Sequence, residues 1–597
     1  MENKAISIGI ENYKQIIDKE YYYIDKTLFI KDLLDKGGAV NVFTRPRRFG
    51  KTLALSMIKT YFEKETDLQG DVTDNSHYFE GKNILNAGEK YTRHMGKYPV
   101  ISLSLKSAKQ PDFQMAYASL QYEIIGEYRR HSYVLNGNVL MQEEEERYRK
   151  IMAEKAENID YARALKFLSD CLKKYHEIGV IILIDEYDVP LENSFFRGFY
   201  DEMIDFIRSL FESALKTNDS LEFAVITGCL CNVMEAPSSL GSKIPRQVSE
   251  VGFPTRLEST SPSSQCQSIF TGLNNLGINS ILTENYAEYF GFTQTEVEKM
   301  LKDYDLEEKI PEVKEWYDGY LFGDTEVYNP WSVINYVYEA LANRKAFPKP
   351  YWSNTSSNSI VRSLVEKADE EAKAEIEVLI QGGTIEKPVH EDITYEDIDK
   401  SQDNLWNFLF FTGYLKKTKE ALIEETIHLT MKIPNREVRY IFRNTIQDWF
   451  RQHLEKTDLS TLYKAVLEGD CETFANEVTD QLLECISYND YKEDYYHGFL
   501  CGLLKGCKGY RVISNRESGT GRYDIVMRYP SARGKAMIME IKMADTFDGL
   551  EAGCDKALQQ IEDRRYDAEL LKDGYRNITK YGICFYKKEC MVKVIMP

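Results

Sequence analysis

Residues 40–53 read Val40-Asn41-Val42-Phe43-Thr44-Arg45-Pro46-Arg47-Arg48-Phe49-Gly50-Lys51-Thr52-Leu53. An apolar segment runs into a basic turn, and the turn ends at Gly50, Lys51 and Thr52 before a stretch with helical character. This order is typical of a phosphate-binding loop, because backbone N–H groups and the helix dipole attract an anion. In such a loop Lys51 contacts the terminal phosphates, and the Thr52 hydroxyl ligates Mg²⁺.

The loop departs from the usual pattern at one position. Arg45 stands where the motif G-x-x-x-x-G-K-[ST] has its first glycine. An alternative interpretation is therefore a basic turn before a helix, without a ligand. In the phosphate-loop interpretation, Arg47, Arg48 and Gly50 are candidate nucleotide-binding residues beside the lysine and threonine that follow.

A second apolar run, residues 180–184, ends in the acidic pair Asp185 and Glu186. Such a run predicts a buried parallel strand with carboxylates at its C-terminal edge. In a nucleotide hydrolase Asp185 holds Mg²⁺ and Glu186 polarises the attacking water; an ordinary strand end is the alternative. The later strand, residues 223–228, brings Thr227 between the two earlier strands as a candidate γ-phosphate sensor. The alternation of strands and helices predicts an α/β fold with a doubly wound parallel sheet.

The composition excludes several classes of protein. A chain of 597 residues with 43% apolar and 28% charged residues is too long for one core and is globular. We find no signal peptide and no apolar run that spans a bilayer, and we expect a cytoplasmic protein without a membrane partner. Eleven cysteines without a C-x-x-C pair indicate reduced thiols, with no structural zinc and no disulfide framework.

The charge is distributed unevenly along the chain. The formal net charge of −20 argues against nucleic acid binding over the whole surface. From Asp480 onward, however, 19 basic residues face 18 acidic ones, whereas the rest of the chain carries 56 basic and 77 acidic residues. We therefore expect nucleic acid to bind at the C-terminal part.

Changes in composition divide the chain into three predicted domains. Residues 1–290 form the phosphate-loop domain, 291–480 form a helical linker or lid, and 481–597 form a C-terminal α/β domain. Within the first domain, residues 232–265 are rich in Ser and Pro without helical or strand periodicity, which predicts a disordered insertion. A gene-model artefact is the alternative explanation for this segment.

The C-terminal domain carries a second group of polar residues. Segments 521–527 and 536–542 are predicted to form a hairpin, followed by a helix over residues 550–571. Because side chains alternate along a strand, Glu540 and Lys542 share one face, and the hairpin brings Asp524 beside them. Two carboxylates and an ammonium so arranged can hold a divalent metal ion and stabilise a pentacoordinate phosphate. A surface salt bridge is the alternative.

Both groups of residues together make the chain resemble a two-part family. Its N-terminal part resembles the AAA-ATPase-like domain common in anaerobic gut microbes, and its C-terminal part resembles a PD-(D/E)XK nuclease-superfamily domain. The resemblance rests on residues 23–27 (YIDKT), 47–52 (RRFGKT), 183–188 (LIDEYD), 268–275 (SIFTGLNN), 316–320 (WYDGY), 328–332 (YNPWS), 515–524 (NRESGTGRYD) and 540–542 (EIK).

The resemblance implies specific roles for residues in both parts. It implies ATP and Mg²⁺ binding at Lys51, Thr52, Asp185 and Glu186. In the C-terminal part it implies the functional residues Asp524 and Glu540 as ligands of Mg²⁺ or Mn²⁺, Lys542 as a catalytic residue, and Glu517 and Gln560 as further site residues.

Two functions follow as expectations. The first is an ATP-binding and ATP-hydrolysing domain coupled to a metal-dependent nuclease that acts on nucleic acid, in a possible homo-oligomer. The second is a nucleotide-switched scaffold or binding protein with an inactive nuclease-like domain. The second stays open because Cys231 stands where the family has an arginine.

Overall fold

The structure, a computed structural model, describes residues 4–230, 270, 275–354, 361–362, 368–391, 395, 401–484, 493–518 and 521–597. The predicted insertion at 232–265 and Cys231 lie outside these residues. The chain divides into two compact units, the first made of Met1–Asn354 and Glu386–Val438, the second of Thr355–Ile385 and Arg439–Pro597.

Short strands alternate with helices over the first three quarters of the chain. The strands there are β1 (Val40–Thr44), β2 (Glu65–Thr66), β3 (Val72–Thr73), β4 (Val100–Ser104), β5 (Val180–Asp185), β6 (Leu221–Gly228), β7 (Leu276–Asn279), β8 (Tyr320–Phe322), β9 (Thr325–Val327), β10 (Ile385–Val389), β11 (Lys416–Ile423) and β12 (Thr426–Lys432).

The helices are numbered in chain order. They are α1 (Tyr13–Asp18), α2 (Leu28–Lys36), α3 (Lys51–Phe62), α4 (Glu89–Thr92), α5 (Phe113–Arg130), α6 (Gln142–Met152), α7 (Asn158–Ala162), α8 (Ala164–His176), α9 (Val189–Arg197), α10 (Tyr200–Phe211), α11 (Gln294–Asp303), α12 (Ile310–Tyr317), α13 (Pro330–Ala342), α14 (Glu370–Ile380), α15 (Gln402–Phe411), α16 (Arg436–Lys456), α17 (Ser460–Glu468), α18 (Cys471–Glu484), α19 (Glu493–Leu504), α20 (Leu550–Asp563) and α21 (Ala568–Lys572).

A five-stranded parallel sheet organises the first unit. Its order is β4-β5-β6-β1-β7, and every neighbouring pair runs parallel. All residues of β1 and β5 are buried, as expected for parallel strands covered by helices such as α3, α5 and α8. Strand β6 lies between β5 and β1, so the predicted α/β fold and the predicted position of the Thr227 strand are confirmed.

Helices dominate the region between the two predicted α/β domains, as expected, but this region also contains a sheet that the sequence did not predict. Its order is β10-β12-β11. Most side chains of β11 are exposed, so its sequence lacks the apolar alternation by which a strand is recognised. The hairpin turn between β11 and β12 places Glu424 and Glu425 in the left-handed region, at φ 46° and 70°.

A mixed sheet of five strands organises the second unit. Its strands are β13 (Arg511–Ser518), β14 (Gly521–Arg528), β15 (Lys535–Met543), β16 (Asn577–Tyr586) and β17 (Glu589–Ile595), in that order across the sheet. Strands β15 and β16 are parallel, and the other neighbours are antiparallel. The predicted hairpin of β14 and β15 is confirmed.

The helix predicted over residues 550–571 is wrong in its length. Helix α20 ends at Asp563, and a separate short helix, α21, starts at Ala568. The chain breaks the helix at Arg565, whose φ of 51° is left-handed. The break allows Tyr566 to turn inward, where it is buried against Ile561 of α20 and the sheet. Burial of an aromatic ring thus outweighs the helical propensity of the segment.

None of the helices in the described residues combines the length and apolarity that a bilayer-spanning segment needs.

Candidate functional site

The loop after β1 contains two residues with positive φ just before the N-terminus of α3. Gly50 precedes α3 with a φ of 82°, and Arg48 is also left-handed, with a φ of 71°. Glycine adopts this conformation without the steric cost that a Cβ atom brings. Helix α3 then starts at Lys51, so the free N–H groups of its first turn face the loop.

The side chain of Lys51 folds back over this loop. It is buried, and its Nζ atom donates to the carbonyl oxygens of Arg45 at 2.8 Å and Pro46 at 2.9 Å. The Sγ atom of Cys229, just after β6, lies 3.5 Å from the same nitrogen. The ammonium group therefore donates its hydrogen bonds to neutral acceptors rather than to a carboxylate.

Two threonine hydroxyls bracket the carboxylate at the end of β5. Thr52 donates to Oδ2 of Asp185 at 2.7 Å, and Thr227 donates to Oδ1 of Asp185 at 2.5 Å. Thr52 lies in the first turn of α3, which follows β1, whereas Asp185 and Thr227 belong to β5 and β6. Because β5, β6 and β1 are neighbours in the parallel sheet, their C-terminal ends lie side by side. The structure thus brings together three residues that the sequence analysis had assigned to one site.

Glu186 follows Asp185 in a strained conformation. Its φ is 53°, which is uncommon for a residue other than glycine. Its backbone N–H donates to Oδ1 of Asp185 at 3.0 Å. Burial raises the pKa of Glu186 above its ordinary value, and the neighbouring charge of Asp185 adds to the rise. A strained acid with a raised pKa is typical of a proton-accepting group in a reaction site.

Arg45 turns away from the loop that it belongs to. Its side chain is fully buried and donates from one terminal nitrogen to the carbonyl oxygens of Thr44 at 2.9 Å and Asn279 at 2.6 Å. The guanidinium carbon lies 5.3 Å from the ring centre of Phe290 and 5.0 Å from that of Phe322. Because the side chain leaves the loop, the arginine that replaces the motif glycine does not occupy the anion position.

The second unit brings Asp524 and Glu540 together on adjacent strands. The register of β14 and β15 pairs Ile525 with Met539, and one further step places Asp524 opposite Glu540. The backbone N–H of Ile541 donates to Oδ2 of Asp524 at 2.8 Å. The predicted convergence of these carboxylates on one sheet face agrees with this geometry.

Glu540 is the most buried carboxylate of this group, with 1% of its surface exposed. Its Oε1 atom accepts hydrogen bonds from Nζ of Lys542, at 2.9 Å, and from Nε2 of Gln560 on α20. Gln560 also donates to the hydroxyl of Tyr566 at 3.1 Å. Lys542 and Gln560, both candidates from the sequence, therefore meet at one carboxylate oxygen. Glu517 lies on β13, beside β14, but its side chain is outside the described residues.

Two family models match the chain. Residues 7–235 match a family described as "Predicted AAA-ATPase", and residues 491–594 match the PD-(D/E)XK nuclease superfamily. The chain thus carries an AAA-ATPase-like domain and a PD-(D/E)XK nuclease domain. The resemblance drawn from the sequence is confirmed in both parts. The first match includes the loop after β1 and the end of β5, and the second includes β14, β15 and α20.

One similar protein aligns with this chain over nearly its whole length. It is a protein of Azotobacter chroococcum mcd 1 described as "Uncharacterized protein in vnfD 5'region". It is 23% identical over 580 residues, which cover 95% of this chain and 93% of that protein. The alignment therefore spans both the AAA-ATPase-like domain and the nuclease domain.

Domains of these two families generally use a nucleotide and a divalent metal ion, and a nuclease domain suggests nucleic acid as a partner. Among the described residues, no group of three or more His, Cys, Asp or Glu side chains is arranged to hold a metal ion. The candidate oxygen donors occur in twos instead: Thr52 is hydrogen-bonded to Asp185, and Asp524 lies on the strand next to that of Glu540. Such pairs fit Mg²⁺, which keeps several water ligands and binds through one or two carboxylates.

The partners of the basic turn in the AAA-ATPase-like domain were not predicted from the sequence. Arg47 forms an ion pair with Glu192 of α9, and the guanidinium of Arg48 lies 4.4 Å from the ring centre of Trp331. Asp188, at the start of α9, accepts from the backbone N–H of Cys229 at 2.9 Å. Asp188 and Glu192 lie one helical turn apart, just after the acidic pair of Asp185 and Glu186. This spacing is the feature of the sequence from which acidic partners of the basic turn could have been predicted.

In the nuclease domain the missed residue is His497 of α19. Its Nε2 atom donates to the backbone carbonyl of Asp524 at 3.0 Å, which holds this part of β14 against the helix. The sequence offers little signal for this contact, because it joins residues from a helix and a strand that are 27 positions apart.

Proposed function

We propose that this protein is a nucleotide-dependent nuclease. Its AAA-ATPase-like domain binds and hydrolyses ATP, and this reaction controls a metal-dependent phosphodiesterase in the C-terminal domain. The observation that carries the proposal is the meeting of Lys542 and Gln560 at the buried carboxylate of Glu540, on the sheet face that also bears Asp524. A buried acid of this kind is costly for a purely structural hairpin.

In the proposed ATPase site each residue has one task. Lys51 and the N–H groups of the first turn of α3 bind the β- and γ-phosphates, with Arg47, Arg48 and Gly50 shaping the loop around them. Thr52 and Asp185 hold Mg²⁺, which neutralises charge on the phosphates when bound.

The attacking water in this site is oriented by Glu186, which directly follows Asp185 at the C-terminal end of β5. Thr227 lies on the strand between the other two and contacts Asp185, so it is the residue we assign to sensing the γ-phosphate.

In the proposed nuclease site Asp524 and Glu540 hold a divalent ion, Mg²⁺ or Mn²⁺, which lowers the pKa of a bound water when present. Lys542 places a positive charge next to the carboxylate and so offsets charge that develops on the phosphate. Gln560 fixes the orientation of Glu540 through its amide hydrogen. Glu517, on the neighbouring strand β13, remains a candidate for a further ligand.

The experiment that tests this proposal uses two variants of the full chain, Lys51→Ala and Asp524→Asn, in two assays. Lys51→Ala is expected to abolish ATP binding and hydrolysis. Asp524→Asn is expected to abolish metal-dependent cleavage and to leave ATP hydrolysis within about twofold of the unmodified protein. Full nucleotide affinity in Lys51→Ala, or unchanged cleavage in Asp524→Asn, would overturn the corresponding site assignment.

The alternative function, a nucleotide-switched scaffold, predicts a different outcome. It expects ATP binding that Lys51→Ala removes, together with no cleavage by the unmodified protein under any metal condition.

The domain boundaries at residues 290 and 480 and a homo-oligomeric state are part of the main proposal. Limited proteolysis and light scattering with and without ATP test these two points.

A further inference from the structure

A cluster of positive charge lies at one end of the sheet in the nuclease domain. It consists of five exposed side chains that lie in three loops or at the ends of the elements that these loops join. We call them the basic end: Lys508, Arg511, Arg533, Lys572 and Arg576. The loops are the connection from α19 to β13, the turn between β14 and β15, and the connection from α21 to β16.

Hydrogen bonds and strand register bring these three loops together. Arg511 pairs with Arg528 at the end of β14, immediately before the turn. The hydroxyl of Tyr575 donates to the carbonyl oxygen of Tyr529 at 2.5 Å, which joins the third loop to the same turn. Lys535, the first residue of β15, pairs with Asn577, the first residue of β16. The three loops therefore lie next to one another at the same end of the sheet.

The charge of the basic end is not neutralised within the described residues. None of its five cations forms an ion pair with a described residue, whereas the nearby Asp573 is paired with Arg528 at 3.0 Å. Tyr529, in the same turn, is 43% exposed, and its ring centre lies 5.6 Å from that of Tyr510. Uncompensated cations beside an exposed aromatic ring are typical of a surface that binds nucleic acid.

The length of β15 gives the distance between the end of the sheet that carries the basic end and the proposed reaction site. Lys535 and Glu540 belong to the same strand and are five residues apart, which corresponds to about 17 Å at ~3.3 Å per residue. One strand of a duplex carries a phosphate about every 3.4 Å along the axis. A nucleic acid backbone that runs alongside β15 would therefore have about five phosphates between the end of the sheet that carries the basic end and the site around Glu540.

We propose that the basic end binds the phosphate backbone of the nucleic acid substrate about five nucleotides from the bond that is cut. This inference rests on the proposed nuclease function and adds to it the path of the substrate. The binding depends on charge and not on sequence, because phosphate contacts position a protein without reading bases.

The test compares the double variant Arg533→Glu/Arg576→Glu with Lys587→Glu in the full chain. Lys587 is exposed and follows the opposite end of β16, so Lys587→Glu is the control for a charge reversal away from the basic end. The affinity for a labelled duplex of about 30 base pairs, as DNA and as RNA, is measured without divalent metal at several salt concentrations. Circular dichroism checks that each variant is folded.

We expect the double variant to bind at least about tenfold more weakly than the control. Its plot of log affinity against log salt is expected to be flatter by about two, since each lost phosphate contact removes about 0.9 from the slope. ATP hydrolysis is expected to be unchanged. Equal affinity and equal salt slope in the two variants, or no binding of either duplex by the unmodified protein, would overturn the inference.

The result of this binding test can be distinguished from the result of the test of the proposed nuclease activity. If the duplex binds through the basic end but is never cut with any metal, the nuclease proposal fails while this inference stands. If cleavage requires Glu540 but the double variant binds normally, the nuclease proposal stands and the basic end is not part of the substrate path.

Discussion

The hydroxyl of Thr52 donates to Oδ2 of Asp185 at 2.7 Å, although the two residues are 133 positions apart in the chain. One belongs to the first turn of α3 and the other ends β5. Their contact joins the two motifs that the sequence presents separately. It also defines the oxygen pair that we assign to Mg²⁺ in the ATPase domain.

Removal of this hydroxyl tests the assignment. Thr52→Val keeps the shape of the side chain but lacks the oxygen, so we expect Mg²⁺-dependent ATP hydrolysis to fall at least about tenfold, which is about 1.4 kcal/mol. Thr52→Ser retains the oxygen and is expected to stay close to the unmodified rate. The control is Thr60→Val on the same helix, whose hydroxyl donates to the Ser56 carbonyl. Equal rates for Thr52→Val and Thr60→Val would argue against a metal at this oxygen pair.

The contact between Gln560 and Glu540 predicts a positioning role in the nuclease domain. Gln560→Ala removes a donor from the Glu540 carboxylate, and we expect the affinity for Mn²⁺ and the cleavage rate to fall about 10- to 100-fold. The neighbouring Gln559 is exposed, so Gln559→Ala is the matched control. Direct Mn²⁺ titration provides a measurement that does not depend on cleavage. If both alanine variants bind Mn²⁺ equally well, Gln560 does not orient the carboxylate.

A buried acid of the first unit predicts a pH-dependent stability. Glu437 accepts from the hydroxyl of Ser332 at 2.8 Å and from the backbone N–H of Trp352 at 2.8 Å, and no cation compensates it among these contacts. Burial raises its pKa to about 8. Between its ordinary pKa of 4.5 and about 8, the folded state keeps a proton that the unfolded state has released. The free energy of unfolding therefore falls as pH rises through this window, by about 1.4 kcal/mol for each pH unit.

The measurement for this acid is the melting temperature at several pH values. Glu437→Gln is neutral at every pH, so it is expected to melt several degrees above the unmodified protein at pH 8.5 and near it at pH 5. Glu425→Gln, at an exposed turn position, is the control and is expected to follow the unmodified protein. A constant difference between Glu437→Gln and the unmodified protein across this range would show that Glu437 does not titrate there.

The sequence predicted those parts of the fold in which local pattern and tertiary environment agree. The continuous apolar runs became β1, β5 and β6 because parallel strands are buried on both faces. The alternation of side chains along β15 was enough to place Glu540 and Lys542 together. In each case one physical rule, applied over a few consecutive residues, determines the result.

The features that could not be predicted from the sequence depend on contacts between residues that are far apart in the chain. Arg45 takes the position of a motif glycine because its guanidinium reaches the Asn279 carbonyl, 234 positions away, between two aromatic rings. The ion pair of Arg47 with Glu192 likewise joins distant segments. The break after Asp563 follows from burial of Tyr566 against a sheet that the local sequence does not reveal. Such features require the assembled tertiary structure.

Glu540 is the residue on which the proposal of a nuclease site under nucleotide control depends most directly. The decisive measurement is cleavage of a panel of single- and double-stranded DNA and RNA with Mn²⁺, with and without ATP, by the unmodified protein and by Glu540→Ala. Glu562→Ala is the control, because Glu562 is exposed on the same helix as Gln560 and pairs with Lys580. We expect cleavage that ATP changes, that Glu540→Ala abolishes and that Glu562→Ala retains. Cleavage by Glu540→Ala at the unmodified rate, or no cleavage of any substrate by a protein that binds ATP, would contradict the proposal.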